Sequence, residues 1–121
     1  TSKRIISMLK DRGAKEVHLR IGSPEIVFPS YSGIDMKISK ELIAANMKKD
    51  EIRDLIEADS LEFISIDGLQ EAIGFDYPEP NRGISLEIFD GQYIDGLCDY
   101  EEEFKAELTE VQKEFLENRG V

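Results

Sequence analysis

The first 21 residues of the chain read as a helix, a glycine turn and a strand, and that order constrains everything after it. Ile5, Ile6, Met8 and Leu9 recur at helical spacing and give the segment one apolar face. A hydroxyl at Thr1 or Ser2 can cap its start, and Gly13 suits the left-handed stop that ends many helices. Val17, Leu19 and Ile21 then alternate with Glu16, His18 and Arg20, the period of two that a half-buried strand needs. Helix, turn, strand is half of a βαβ unit. A strand buried on both faces of a parallel sheet reads as a near-continuous apolar run instead. The alternation therefore predicts outer strands of a sheet whose central strand lies elsewhere.

The remaining elements follow from the same rules. Gly22, Pro24, Pro29 and Gly33 punctuate residues 22–38, which predicts extended loop with a short strand at Ile26–Phe28. Ser39 caps a short helix reaching Ala45. A second helix is expected from Asp50 to Glu57, with Ile52, Leu55 and Ile56 on one face and acidic residues at its positive end. Leu61, Phe63, Ile64 and Ile66 predict a strand. Asp67 caps a short helix carrying Leu69, Ala72 and Ile73 and closed by Gly74. Residues 75–83, with Tyr77-Pro78-Glu79-Pro80, read as loop. Ile84, Leu86 and Ile88 alternate as a third strand, broken by Gly91. A long helix is expected over residues 100–118, because Phe104, Leu108, Val111 and Phe115 draw an apolar stripe.

Charge narrows the partners. The chain has a formal net charge of −11, and the imbalance is concentrated in its second half. Residues 1–60 carry 11 basic and 10 acidic side chains, whereas residues 61–121 carry 4 and 16. Such a surface repels nucleic acid backbones and anionic membranes. With 40% apolar and 34% charged residues, the 121-residue chain has the mix of a soluble single domain. One cysteine, Cys98, leaves no internal disulfide, which fits a reducing, cytoplasmic setting. The chain opens at Thr1-Ser2-Lys3-Arg4 without an initiator methionine and reads as a fragment of a longer protein.

Thr1 and Ser2 also form the first chemical candidate. Hydroxyls beside the unbonded amides of a helix start make a natural anion site, although a plain cap uses the same residues. Here the sequence resembles a known family. Thr1-Ser2-Lys3-Arg4-Ile5-Ile6 resembles the end of the phosphoribosyl-pyrophosphate (PRPP) motif of glutamine PRPP amidotransferases. The likeness continues through Gly13-Ala14-Lys15-Glu16-Val17-His18-Leu19-Arg20, Ser23-Pro24-Glu25, Tyr31-Ser32-Gly33-Ile34-Asp35 and Glu41-Leu42-Ile43-Ala44-Ala45-Asn46. It extends to Glu51-Ile52-Arg53 with Ile56-Glu57-Ala58-Asp59-Ser60-Leu61, and to Ile66-Asp67-Gly68-Leu69-Gln70-Glu71-Ala72-Ile73-Gly74, is patchy through Phe89, Gly91 and Tyr93, and is thin afterwards.

The resemblance implies the C-terminal portion of a type I phosphoribosyltransferase fold. That is an α/β fold with a mixed or parallel sheet flanked by helices and a long C-terminal helix. Its expected parts are a family-like core at 1–74, loop and strand at 75–99, and an acidic helix at 100–118. The implied parent enzyme joins glutamine-derived ammonia to PRPP, giving 5-phosphoribosylamine in purine synthesis. By the family pattern Thr1, with Ser2 beside it, holds the 5′-phosphate. The magnesium-organising aspartates lie outside this chain, so the fragment alone is expected to be inactive and to hold no catalytic residue or metal. Some members hold an iron–sulfur cluster on cysteines whose positions are here Ser30, Ser85 and Ile88. Serine and isoleucine cannot replace thiolates, so no cluster is expected. The resemblance also implies a homo-oligomeric parent inhibited by purine nucleotides.

Other candidates have simpler readings. His18 sits on the polar face of its strand, Asp35 fits turn chemistry, and Glu101-Glu102-Glu103 complement a helix dipole. The competing functional class is a non-catalytic interaction module that keeps the scaffold and uses the acidic C-terminal helix to bind a partner.

Overall fold

The computed structural model describes residues 1–31, 39–74, 85–93 and 96–118. The chain divides into two compact units, Thr1–Pro24 with Lys48–Phe75, and Glu25–Met47 with Asp76–Val121.

The first unit holds the α/β part. Helix α1 (Ser2–Asp11) is followed by strand β1 (His18–Ile21), as the opening pattern predicts. Helix α3 (Lys49–Leu55) leads into strand β2 (Ser60–Phe63), and helix α4 (Ile66–Ile73) follows. β1 and β2 pair in parallel, with His18 opposite Ser60 and Ile21 opposite Phe63. The buried apolar side chains here are Ile6, Ile52, Ile56 and Leu61. Each such burial is worth roughly 1.5–3 kcal/mol. α4 is capped by Ser65, not by Asp67 as expected, and Ile66, expected in the strand, is its first residue. The Ser65 Oγ accepts from the Gly68 N–H at 2.9 Å, while Gly74 closes the helix in the left-handed region.

Two helix ends in this unit share one device. At the end of α1, Gly13 N–H donates to Lys10 O at 3.0 Å and Ala14 N–H to Leu9 O at 3.1 Å. At the end of α3, Glu57 N–H donates to Asp54 O and Ala58 N–H to Arg53 O, both at 3.2 Å. This is the Schellman pattern, which needs a left-handed residue just past the helix. Gly13 supplies it with φ 104°, and Glu57 supplies it with φ 61°.

The second unit departs further from the sequence expectations. The short strand expected at Ile26–Phe28 is irregular chain. The Val27 and Phe28 N–H groups both donate to the Ile88 carbonyl at 3.0 Å. The strand expected across 84–88 is corrected as well: Glu87–Asp90 form one helical turn, α5, stopped by Gly91 at φ 71°. Ile84 lies outside the described residues, as do the loop at 75–83 and Asp35. Ser39–Glu41 form a single tight 3-10 turn before helix α2 (Ile43–Asn46).

The long helix expected over 100–118 is two helices, α6 (Glu101–Ala106) and α7 (Glu110–Asn118). The cause is a reciprocal cap. Thr109 N–H donates to Gln112 Oε1 at 2.8 Å, and Gln112 N–H donates to Thr109 Oγ1 at 3.1 Å. That capping box starts a new helix where the apolar stripe alone runs on. Gln112 is fully buried. Its Nε2 donates to Val27 O at 2.7 Å and to Ser39 Oγ at 3.1 Å. Thr109 Oγ1 in turn donates to Ala45 O. Phe28, also fully buried, meets Phe115 edge-on at 5.6 Å and Phe104 at 6.3 Å. Phe104 and Phe115 of the predicted stripe thus pack within this unit.

Candidate phosphate site at the first helix

α1 carries the site the sequence points to. Thr1 occupies its N-cap position, exposed, and its side chain makes no capping hydrogen bond. Its carbonyl accepts from the Ile5 N–H at 3.1 Å, which sets the helical frame. The first amides of a helix have no carbonyl one turn back to receive them, so those of Ser2, Lys3 and Arg4 are left for another acceptor. No acidic side chain lies in this first turn; Lys3 and Arg4 are exposed there instead. Helix dipole, amide donors, two hydroxyls and two cations thus share one end of the helix. An oxyanion gains from all four.

The opposite end of α1 is tied to the α3–β2 corner. Lys10 Nζ donates to the Glu57 carbonyl at 2.7 Å and lies 3.4 Å from Asp59 Oδ2. Asp59 Oδ2 accepts from the Val17 N–H at 2.7 Å, and Asp59 N–H donates to Val17 O at 2.9 Å. The Val17 amide, with Lys10 beside it, holds the Asp59 carboxyl below its ordinary range. Sequence reasoning misses this tie, because its members are some 40 residues apart and no local pattern links them.

The other candidates lie elsewhere. His18 faces Ser60 across the strand pair, Nδ1 to Oγ at 2.7 Å, and its Nε2 is 3.0 Å from Glu16 Oε2. Arg20 Nη1 donates to the same Ser60 Oγ at 2.8 Å. These are cross-strand contacts on an exposed sheet face. Ser30 is buried in the second unit and donates to Glu87 Oε1 at 3.2 Å. Ser85 is exposed, and Ile88 serves through its carbonyl. Cys98 is exposed at the start of a 3-10 turn, with φ 48°. Glu101 at the start of α6 accepts from Lys105 at 2.7 Å. Among the described residues no group of three or more His, Cys, Asp or Glu is placed to hold a metal. No helix among them is long and apolar enough to cross a membrane.

Comparison with known proteins gives this geometry a context. No family model matches the chain. The amidophosphoribosyltransferase of Staphylococcus aureus is 51% identical over 116 residues, spanning 96% of this chain and 24% of that protein. That of Bacillus subtilis is 46% identical over 93 residues, spanning 77% of this chain and 20% of the relative. The solved structure of glutamine PRPP amidotransferase from B. subtilis complexed with ADP and GMP superposes with a TM-score of 0.68 at 45% identity, over 77% of this chain and 20% of that one. A structure described as the allosteric regulatory enzyme of purine biosynthesis gives 0.69 at 47% identity, over 78% and 20%. The chain therefore spans about a quarter of the length of the curated relatives it matches. Its architecture is that of the corresponding part of a phosphoribosyltransferase fold. With about half its residues shared over nearly its whole length, the chain belongs to the amidophosphoribosyltransferase family, as the counterpart of the C-terminal part of its members.

Proposed function

We propose that the chain works as part of an enzyme that forms 5-phosphoribosylamine from PRPP and glutamine-derived ammonia, and that Thr1 and Ser2 hold the 5′-phosphate. The observation that carries the reading is the start of α1. Its N-cap hydroxyl is not spent on capping, its first-turn amides face no acidic side chain, and Lys3 and Arg4 stand beside it. The phosphate accepts hydrogen bonds from the amides and hydroxyls, and the helix dipole adds a favourable field. Anchoring the unreactive 5′ end fixes the sugar, so that its anomeric carbon is presented for attack while pyrophosphate leaves.

Magnesium is expected in the whole enzyme, where it would neutralise the departing pyrophosphate. The family motif that this segment matches is the phosphate end, so the part we assign to it is binding and orientation. For the same reason the chain by itself is expected to show little or no turnover. An iron–sulfur cluster is not part of the proposal, since Ser30, Ser85 and Ile88 carry no thiol. The relative holding ADP and GMP supports purine nucleotides as regulatory ligands of the whole protein, which we take to be a cytoplasmic homo-oligomer.

The test is a calorimetric titration with PRPP and magnesium. Removing one hydrogen bond to a charged group costs about 1.5–3 kcal/mol. Thr1→Val should therefore weaken binding by about tenfold or more. Equal affinities for Thr1→Val and the parent protein would sink the phosphate assignment.

A further inference from the structure

We infer that a hydrogen bond between Ser30 and Glu87 ties residues 27–31 to residues 86–93 at the positions where cluster-bearing members of the family hold iron and sulfur, so that the enzyme carrying this segment folds and persists without iron. The inference does not rest on the phosphate reading, since Thr1 and Ser2 belong to the other unit.

The fold brings the relevant positions together. Ser30 and Glu87 are 57 residues apart, yet the Ser30 Oγ donates to Glu87 Oε1 at 3.2 Å. The Val27 and Phe28 N–H groups both donate to the Ile88 carbonyl at 3.0 Å. Tyr93 Oη donates to the Pro29 carbonyl at 2.6 Å. Position 30 therefore lies beside the turn that carries position 88, as a ligand set drawn from both would require. All these contacts lie within one unit. Ser30 is 2% exposed, and the remainder of a longer protein can only cover it further.

The donors do not fit a cluster. Such centres are held by thiolates, and neither Ser30 nor Ile88 has one. The Ser30 hydroxyl is already committed to Glu87. The acceptor is a second obstacle. A thiolate-bound cluster carries net negative charge, and the Glu87 carboxylate, within hydrogen-bond reach of Ser30, would lie against it. What disfavours the cluster favours the tie. A buried hydroxyl needs a partner, and a bond donated to a carboxylate is stronger than one donated to a neutral oxygen. The cross-link is then a hydrogen bond, and folding of this unit is not linked to metal binding.

The experiment uses the full-length enzyme carrying this segment, purified without air from iron-replete cells. Iron should stay below about 0.1 per chain, where a four-iron cluster gives about four. An iron chelator should leave the melting temperature within about 1 °C of the untreated protein. Iron near four per chain, or a clear fall in melting temperature on chelation, overturns the inference.

A double-mutant cycle tests the tie itself and separates it from any other contact of Glu87. Ser30→Ala and Glu87→Ala should each lower the melting temperature by roughly 3 °C or more. The double variant should fall no more than about 1 °C below the less stable single variant, because both changes remove the same bond. Drops that add in full overturn the tie, whatever the iron content. Should Glu87→Ala not fold, Glu87→Gln takes its place: the drop caused by Ser30→Ala should shrink in that background, and an undiminished drop overturns the tie.

Discussion

Replacing Glu57 with glycine should make the protein more stable. Glu57 sits just past α3 with φ 61°, in the position of a Schellman motif that glycine usually fills. An L-residue held in the left-handed region costs roughly 1–2 kcal/mol, because Cβ crowds the following carbonyl. Glycine relieves that strain but widens the unfolded ensemble, at about 0.4–1 kcal/mol. The difference favours Glu57→Gly by about 0.5–1 kcal/mol. Nothing in the described structure offsets this gain. Both hydrogen bonds that Glu57 makes among the described residues use its backbone, the N–H to Asp54 and the carbonyl to Lys10 Nζ, and both survive the change. Gly13→Ala is the matched control, since Gly13 fills the same position after α1 at φ 104°. It should cost about 1 kcal/mol, with no Cβ clash to confuse the sign. Urea or thermal unfolding reads both, at roughly 4 °C per kcal/mol for a chain of this size. A destabilised Glu57→Gly beside a neutral Gly13→Ala would refute the backbone argument.

Further outcomes follow from other contacts. Gln112→Leu keeps the volume but strands the Thr109 amide, the Val27 carbonyl and the Ser39 hydroxyl; about 2–4 kcal/mol should be lost, and a loss under ~0.5 kcal/mol in urea unfolding would contradict the role given to that node. Gly91→Ala should destabilise strongly, because a Cβ there would lie 2.9 Å from the Phe28 ring at a φ of 71°; an unchanged melting temperature would mean that Phe28 is not wedged there. Asp59 has its carboxyl depressed by Val17 and Lys10, so its contribution is present above the ordinary carboxylate range, near 4, and fades as pH falls through the lower folded value. Asp59→Asn should flatten the acid side of the stability–pH profile, and an identical profile would remove Asp59 from the balance.

Elements built from local chemistry were legible. Ile5, Ile6, Met8 and Leu9 marked α1, the alternation after Glu16 marked β1, and Gly74 marked the end of α4. The hydroxyl-bearing start of α1 was legible too, because hydroxyls at a helix start are a local motif. The second unit was harder for a physical reason. Leu86 and Ile88 alternate like a strand, yet Gly91 closes a single helical turn there, and the Ile88 carbonyl takes two amides from Val27 and Phe28. The break between α6 and α7 did have a signature, Thr109-x-x-Gln112. The apolar stripe through Phe104, Leu108, Val111 and Phe115 masked it, since a stripe shows which face is buried and not whether the backbone is continuous.

The sequence by itself determined the helix–glycine–strand opening, the family and the hydroxyl-bearing helix start, since each depends on residues close together in the chain. Only the tertiary structure decided that His18 faces Ser60, that Gln112 is the buried polar node of its unit, and that Lys10 reaches Glu57 and Asp59. Those partners are separated by 42 to 85 residues for the bonds that define them. Closing such loops costs entropy that grows only slowly with length. Separation in sequence therefore carries almost no information about which pairs meet; packing and hydrogen-bond satisfaction decide that.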